Sequence, residues 1–324
     1  MKRKLLLVLA VGLVCCFNVN AQQEPMFTHY MFNKLTYNPA YAGSRQAICA
    51  TLVYHDQWKA FKGADNEGAP VTSNFAIHAP ITLGQKADLG VGFHIVDDVS
   101  GFIGTTGFWG TVAYKKKLKF AELGLGLNAG MAQQRLGAVW RAEHPGDKRL
   151  PNTSSSSVFD AGVGAYLNAL NWYAGVSALH VTAGKATWEA DGDISVNYRL
   201  APSYFAHGGY NVKLTPDIDL QPSFILKTDF AKVVGDVSAL ALYKQFVWAG
   251  LNLRTERVTG VSAMVGIYPV ANLSIGYSYD IATKARDGAP SPPFGGSHEI
   301  MANYCFKLNT NIKPDVWHKS PRFL

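Results

Sequence analysis

Charge and long apolar runs are what this sequence has least of. Only 16% of its 324 residues are charged, against a usual ~25%. No stretch reaches the roughly 18 consecutive apolar residues of a membrane-spanning helix. A mean hydropathy of +0.01 is likewise too polar for a bundle of such helices. Cysteine is sparse: of 4 in the chain, Cys15 and Cys16 sit in the first apolar segment, leaving Cys49 and Cys305. No HExxH or paired Cys–His spacing exists, so no zinc site is readable. What is plentiful is glycine (31), aromatic residues (12%) and hydrophobic residues (48%). That balance points to β structure with many turns.

The amino terminus carries an export leader. Lys2, Arg3 and Lys4 form its charged start, and Leu5–Phe17 is apolar. Val19-Asn20-Ala21 ends in a small residue before Gln22, which sets processing after Ala21. Val14 and Cys15 are poor residues ahead of a lipid-modified cysteine, so Cys16 is not read as an anchor. Removing 1–21 takes away three positive charges and lowers the formal net charge from +7 to +4. Export disfavours nucleic acid as a partner despite a pI of about 9.1.

The stretch Ser297–Leu308 alternates with period two. His298, Ile300, Ala302, Tyr304, Phe306 and Leu308 form a mostly apolar side ending in aromatics. Ser297, Glu299, Met301, Asn303, Cys305 and Lys307 form a polar side. An apolar-out, polar-in strand of this length suits an outer-membrane barrel. A soluble antiparallel sheet gives the same alternation, so the remaining strands decide.

Thirteen more runs read as strands: Gln46–Trp58, Pro70–Ile81, Ala87–Val96, Thr105–Lys116, Phe120–Gln134, Val158–Leu167, Trp172–Val181, Ser203–Leu214, Ile218–Thr228, Asp236–Lys244, Phe246–Arg254, Gly260–Tyr268 and Leu273–Ala282. Fourteen strands result. Short connections (Pro269–Asn272, Thr215–Asp217, Asn168–Asn171, Lys244–Gln245) alternate with long ones (Arg135–Ser157, Thr182–Pro202, Thr283–Gly296). Outer-membrane barrels keep short periplasmic turns and longer external loops. The fold class is therefore all-β: a transmembrane antiparallel barrel of about 14 strands, with outer-membrane lipid around it. An even count puts both ends of the chain in the periplasm.

Between leader and first strand, 22–45 reads QQEPMFTHYMFNKLTYNPAYAGSR. Its rings are Phe27, Tyr30, Phe32, Tyr37 and Tyr41, and Asn38-Pro39 and Ala42-Gly43 mark turns. Such an arm packs its rings against one end of the barrel or plugs it. Residues Tyr30, Phe32, Asn38, Pro39, Tyr41 and Gly43 are its candidate contact residues. The rings would anchor the arm, and Asn38-Pro39 would set its turn.

The run YMFNKLTYNPAYAGS (Tyr30–Ser44), the closing SHEIMANYCF and the terminal SPRFL resemble the PorP/SprF proteins of the type IX secretion system. The resemblance spans Pro25 to Leu324. It implies an outer-membrane barrel with a role in type IX secretion or gliding. The implied partners are periplasmic type IX components or a secreted surface adhesin. It carries over no catalytic residues and no cofactor.

The other constellations are bland. Glycine pairs at Gly90/Gly92, Gly124/Gly126 and Gly162/Gly164 precede no helical pattern, so they are no nucleotide fingerprint; in strands they relieve crowding. His55, His78, His94, His180 and His207 are scattered over separate strands. Asp97-Asp98 and His180 at strand ends could be forced into an enzyme site, but a charged rim accounts for them. Lys115, Lys116, Lys117 and Lys119 are placed in a periplasmic turn, near lipid head groups or an acidic partner.

Closure of the barrel pairs the first strand with the last and removes the sheet edges. Alternation turns both Cys49 and Cys305 into the lumen near this seam. An oxidising compartment lets them bond, while a one-residue slip would separate their faces. The domain reading is leader 1–21, arm 22–45, barrel 46–308 and a periplasmic tail 309–324. The tail is either a disordered end or a docking peptide, for which Lys313, Lys319 and Arg322 with Trp317 and Phe323 are suited. The passive channel is the alternative function. Large lumen-facing residues such as Met301, Trp248 and Tyr268 count against it.

Overall fold

The structure is a computed structural model that describes residues 24–45, 47–59, 68–83, 87–101, 103–136, 155–190, 194–255, 258–285 and 295–307. The expected leader and tail, with Lys313, Trp317, Lys319, Arg322 and Phe323, lie outside the described residues. The strands are β1 (Ala47–Asp56), β2 (Val71–Leu83), β3 (Ala87–Ser100), β4 (Ile103–Lys117), β5 (Glu122–Leu136), β6 (Ser155–Asn168) and β7 (Trp172–Leu179). They continue with β8 (Lys185–Ala190), β9 (Ile194–Arg199), β10 (Ser203–Tyr210), β11 (Val212–Lys213), β12 (Ile218–Thr228) and β13 (Val233–Tyr243). The last are β14 (Val247–Thr255), β15 (Val258–Val270), β16 (Leu273–Ala285) and β17 (Ser297–Lys307).

Fourteen of these close into one antiparallel ring. Neighbours in sequence pair from β1 to β7, β7 pairs with β10, β10 with β12, and the ladder then runs to β17, which returns to β1. The short β11 extends β10 along β12. Between them the backbone breaks at Asn211, whose N–H donates to the Asn171 carbonyl at 2.7 Å. A closed ring leaves no edge, which is how an antiparallel sheet can stand in a membrane. No helix among the described residues is long and apolar enough to cross a bilayer.

The period-two pattern sets the two faces. Along β1, Cys49, Thr51, Val53 and His55 are buried towards the inside, and Leu52 and Tyr54 are exposed on the outside. Along β16, Ile275, Tyr277 and Tyr279 face out, while Ser274 and Ser278 face in. Outward Phe108, Leu127, Phe159, Leu251 and Ile300 continue the apolar band.

Connections between strands alternate in length. The ends of β1, β5, β7 and β16 carry the long ones, and the opposite rim carries turns such as 118–121, 169–171 and 271–272. These two rims are the long-loop end and the short-turn end. One expectation needs correction here. The stretch Thr182–Pro202 is not merely a loop, because β8 and β9 pair within it. Ala186 and Trp188 are buried and the Trp188 ring meets Tyr198 at 5.9 Å. A hairpin that buries one face contributes stability that a bare loop lacks.

Candidate functional site

Residues 24–45 run through the inside of the ring from end to end. They make two short helical pieces, Lys34–Tyr37 and Pro39–Tyr41. The sequence dictates the second one. Asn38 is extended and its side chain accepts from the Ala40 N–H at 2.9 Å, capping a turn that begins with Pro39. Proline suits a first helical position because its φ is preset and its missing N–H would be unpaired there. The turn is followed by Gly43 at φ +71°, a left-handed conformation that favours glycine.

Its aromatic residues are buried against the inner wall. Phe32 stacks on Trp248 with ring centres 5.3 Å apart. Tyr41 meets His78 and Tyr166 edge-on at 5.0 and 5.3 Å. Tyr37 lies against Phe205 at 5.4 Å, and the Tyr30 hydroxyl is 3.0 Å from Ser223 Oγ. Together with Leu240, Met264 and Met301 these form one apolar core inside the barrel. Burying each such side chain contributes about 1.5–3 kcal/mol.

The wall opposite the turn is made of glycine. A Cβ at Gly90 would fall 1.9 Å from Ala42 O, and at Gly126 2.4 Å from Ala40 N. At Gly124 it would be 2.5 Å from Ala40 O, and at Gly164 2.2 Å from Asn38 Oδ1. At Gly92 it would be 3.0 Å from the Leu35 side chain, and at Gly175 2.7 Å from Asn38 Nδ2. Inward positions of β3 and β5 thus meet the backbone of Ala40 and Ala42, those of β6 and β7 meet the Asn38 side chain, and together they form a groove for Asn38–Gly43. The sequence reading put Gly90/Gly92 and Gly124/Gly126 down to strand crowding. The inward side of the alternation, set beside a small-residue NPAYAG run, was the available signal.

Polar groups fasten the segment along its length. At the short-turn end Lys115 Nζ donates to Ala40 O at 2.7 Å and to Ser44 Oγ at 2.6 Å. This corrects its placement in a turn: Lys115 belongs to β4 and points inward, because the alternation continues as far as Lys116. Asn38 Nδ2 donates to Ala165 O at 3.0 Å on β6 and to Val176 O at 3.3 Å on β7. Farther up, Glu299 accepts from the N–H groups of Thr28 and His29 at 2.9 and 2.7 Å. Asp236 holds Arg254 through Nε and Nη2 at 2.8–3.0 Å.

At the long-loop end Glu24 meets His180 Nε2, while His180 Nδ1 lies 2.7 Å from Asp160 Oδ2. Trp109 Nε1 donates to the same oxygen at 2.7 Å, and Lys227 Nζ donates to the Glu24 carbonyl at 2.9 Å. Burial alone would raise the Glu24 carboxyl, but the charge of His180 overrides it and holds its pKa at about 2. Burial would lower the His180 imidazole, but Glu24 and Asp160 lift it to about 10. Both ring nitrogens face carboxylates, so both carry protons. Glu24 and Asp160 were not singled out from sequence, Glu299 was read only as one polar position of the last strand, and Lys115 only as part of a lysine turn.

The two ends of the chain lie outside the described residues, but the described residues nearest them stand at opposite rims. Lys307 closes β17 at the short-turn end, whereas Glu24 is bound by His180 and Lys227 at the long-loop end. Residues 24–45, with their turns and two short helical pieces, carry the chain from one rim to the other.

Cys49 and Cys305 are opposite each other across β1 and β17 and are joined as a disulfide, with Cα atoms 4.1 Å apart. Arg45 Nη1 lies 3.3 Å from Cys305 Sγ and 3.4 Å from Asn303 Oδ1, so the segment's last residue touches the seam. His55, His78, His94 and His207 all face inward but sit apart. Asp98 accepts from Thr72 Oγ1 at 2.6 Å, and the neighbouring Asp97 pairs with Arg135 at 2.8 Å. Among the described residues no group of His, Cys, Asp and Glu is arranged to hold a metal ion.

A profile described as "Type IX secretion system membrane protein PorP/SprF" matches residues 19–304. No curated protein matches the chain. Among solved structures, the Ralstonia pickettii toluene transporter TbuX aligns with a TM-score of 0.52 at 11% identity, covering 85% of this chain and 94% of that one. The CymD monoaromatic hydrocarbon channel aligns at 0.52 and 12% identity, covering 87% and 94%. At such identity the likeness concerns the fold, which is that of an outer-membrane β-barrel.

Proposed function

Because the chain belongs to the PorP/SprF family of type IX secretion system membrane proteins, we propose that it is a non-enzymatic barrel that holds partner proteins at the outer membrane. The partners are periplasmic components of the secretion machinery or a secreted surface adhesin. The observation that supports this over a passive channel is the filled lumen. Trp248, Met264 and Met301 of the wall and Phe27, Tyr30, Phe32 and Tyr37 of the arm are all buried in one core. A solute would have to displace that core to pass.

In this reading the short-turn end faces the periplasm, where the leader-free chain is delivered and the tail 309–324 emerges. The basic and aromatic residues Lys313, Trp317, Lys319, Arg322 and Phe323 are the docking peptide, and the barrel is its fixed support. Affinity isolation of the tagged mature protein tests this. Deleting 309–324 leaves Phe306 and the closing strand intact, so insertion is expected to survive while partner recovery falls. Full recovery of every partner by the truncated protein would remove the tail from the account.

A further inference from the structure

The plug ends against the disulfide of the barrel seam. Cys49 and Cys305 are buried in the inner wall. The pair Ala47–Lys307 lies two residues farther out, at the short-turn ends of β1 and β17. Arg45 is 4% exposed. Its Nη1 donates to Cys305 Sγ at 3.3 Å and to Asn303 Oδ1 at 3.4 Å. Its Nε is buried and has no hydrogen-bond partner among the described residues.

Both acceptors of Arg45 are neutral: an amide oxygen and a disulfide sulfur, which accepts only weakly. No carboxylate among the described residues is paired with this guanidinium. A buried cation without a counter-charge is costly. Reduction of the disulfide supplies the missing charge, because a thiolate on Cys305 stands where the guanidinium already points. Arg45 is hydrogen-bonded to the sulfur of Cys305 and not to that of Cys49, so the two sulfurs are unequal as leaving groups.

We infer that Cys49–Cys305 is a thiol–disulfide exchange site, with Arg45 as the positioning residue that holds Cys305 as the leaving thiolate. Its substrate is a dithiol reductant. One thiolate of the reductant attacks Cys49 Sγ. The bond between the two cysteines breaks, and its electron pair stays on Cys305 Sγ beside Arg45. The reductant's second thiolate then attacks the reductant sulfur of the mixed disulfide, and Cys49 leaves with that electron pair. The dithiol is oxidised to a disulfide by two electrons, and the two cysteines are reduced. Of the two protons the dithiol gives up, one ends on Cys49 and one in solvent. Reduction thus replaces a covalent seam with an ion pair between the seam and the last residue of the plug. The inference does not depend on which protein the barrel holds.

The test equilibrates the folded protein in detergent with dithiothreitol redox buffers, quenches it with acid and quantifies both cysteines by peptide mass spectrometry. A shift of migration on boiling certifies that each sample is a folded barrel. Arg45→Met is expected to make the disulfide at least tenfold harder to reduce, about 30 mV for a two-electron couple. Limiting glutathione given to wild type and quenched early is expected to leave its adduct on Cys49 and a free thiol on Cys305, at least tenfold over the reverse. Equal equilibrium constants for wild type and a folded R45M would overturn the inference. So would an adduct mainly on Cys305, or a disulfide that dithiothreitol leaves intact in folded wild type, whether or not the variant folds.

Discussion

Lys115 Nζ lies 2.7 Å from the carbonyl oxygen of Ala40, joining the fourth strand of the wall to the turn of the plug. Lys115 is only 5% exposed, so neither group has water to fall back on. Lys115→Met keeps the stem and removes the donor. The expected loss is about 1.5–3 kcal/mol for a charge-assisted bond whose acceptor stays buried. It is read as a lower temperature for conversion from the unboiled to the boiled migration form. An unchanged temperature would mean the bond adds nothing.

Gly90→Ala places a methyl group 1.9 Å from Ala42 O. Backbone must move on one side or the other, at about 1–3 kcal/mol. Gly110→Ala is the matched control, since its nearest contact is Ala129 O at 3.9 Å. The account expects G90A to lower the conversion temperature and G110A to leave it unchanged.

Tyr30 and Phe32 hold the middle of the plug. Replacing either by Ala is expected to cost about 3–5 kcal/mol. The double variant should expose the 24–45 segment to protease while the strands stay inserted in membranes. Protease resistance equal to wild type would show that the rings do not anchor it.

The Glu24–His180 pair gives a pH dependence with two signs. Glu24 has a folded pKa of about 2, below its ordinary 4.5, so its contribution is present above 4.5 and is lost as pH falls towards 2. His180 has a folded pKa of about 10, above its ordinary 6.5, so its contribution is full below 6.5 and is lost as pH rises towards 10. Hydrogen exchange of the Thr28 and His29 amides should be slowest between about 4.5 and 6.5, after correction for intrinsic rates. His180→Gln should abolish the alkaline limb. A corrected profile that is flat in wild type would contradict the pairing.

The ring of strands was legible because lipid outside and a packed interior impose a strict period of two. Leu273 to Ile281 shows it without a break, and the same alternation turns Cys49 and Cys305 to one side. The path of the plug was not legible. Phe27, Tyr30 and Tyr37 would be buried equally well against a rim or within the lumen, and only the partners distinguish the two. Those partners, Glu299, Lys115 and the glycines at 90, 124 and 126, are far away in sequence and look like ordinary inward positions. The hairpin of β8 and β9 was hidden because loop length was read where Ala186 and Trp188 already alternated. Glu24 gave no sign that it stands at the far rim, since a short polar start before Pro25 fits either end.

Deleting the gene and scoring two phenotypes side by side tests the central claim most directly. The account expects that at least one type IX cargo is no longer displayed or released, that uptake of small solutes is nearly unchanged, and that the intact gene restores secretion. Normal cargo secretion together with a clear solute-uptake defect would contradict it, and the barrel would then be a channel.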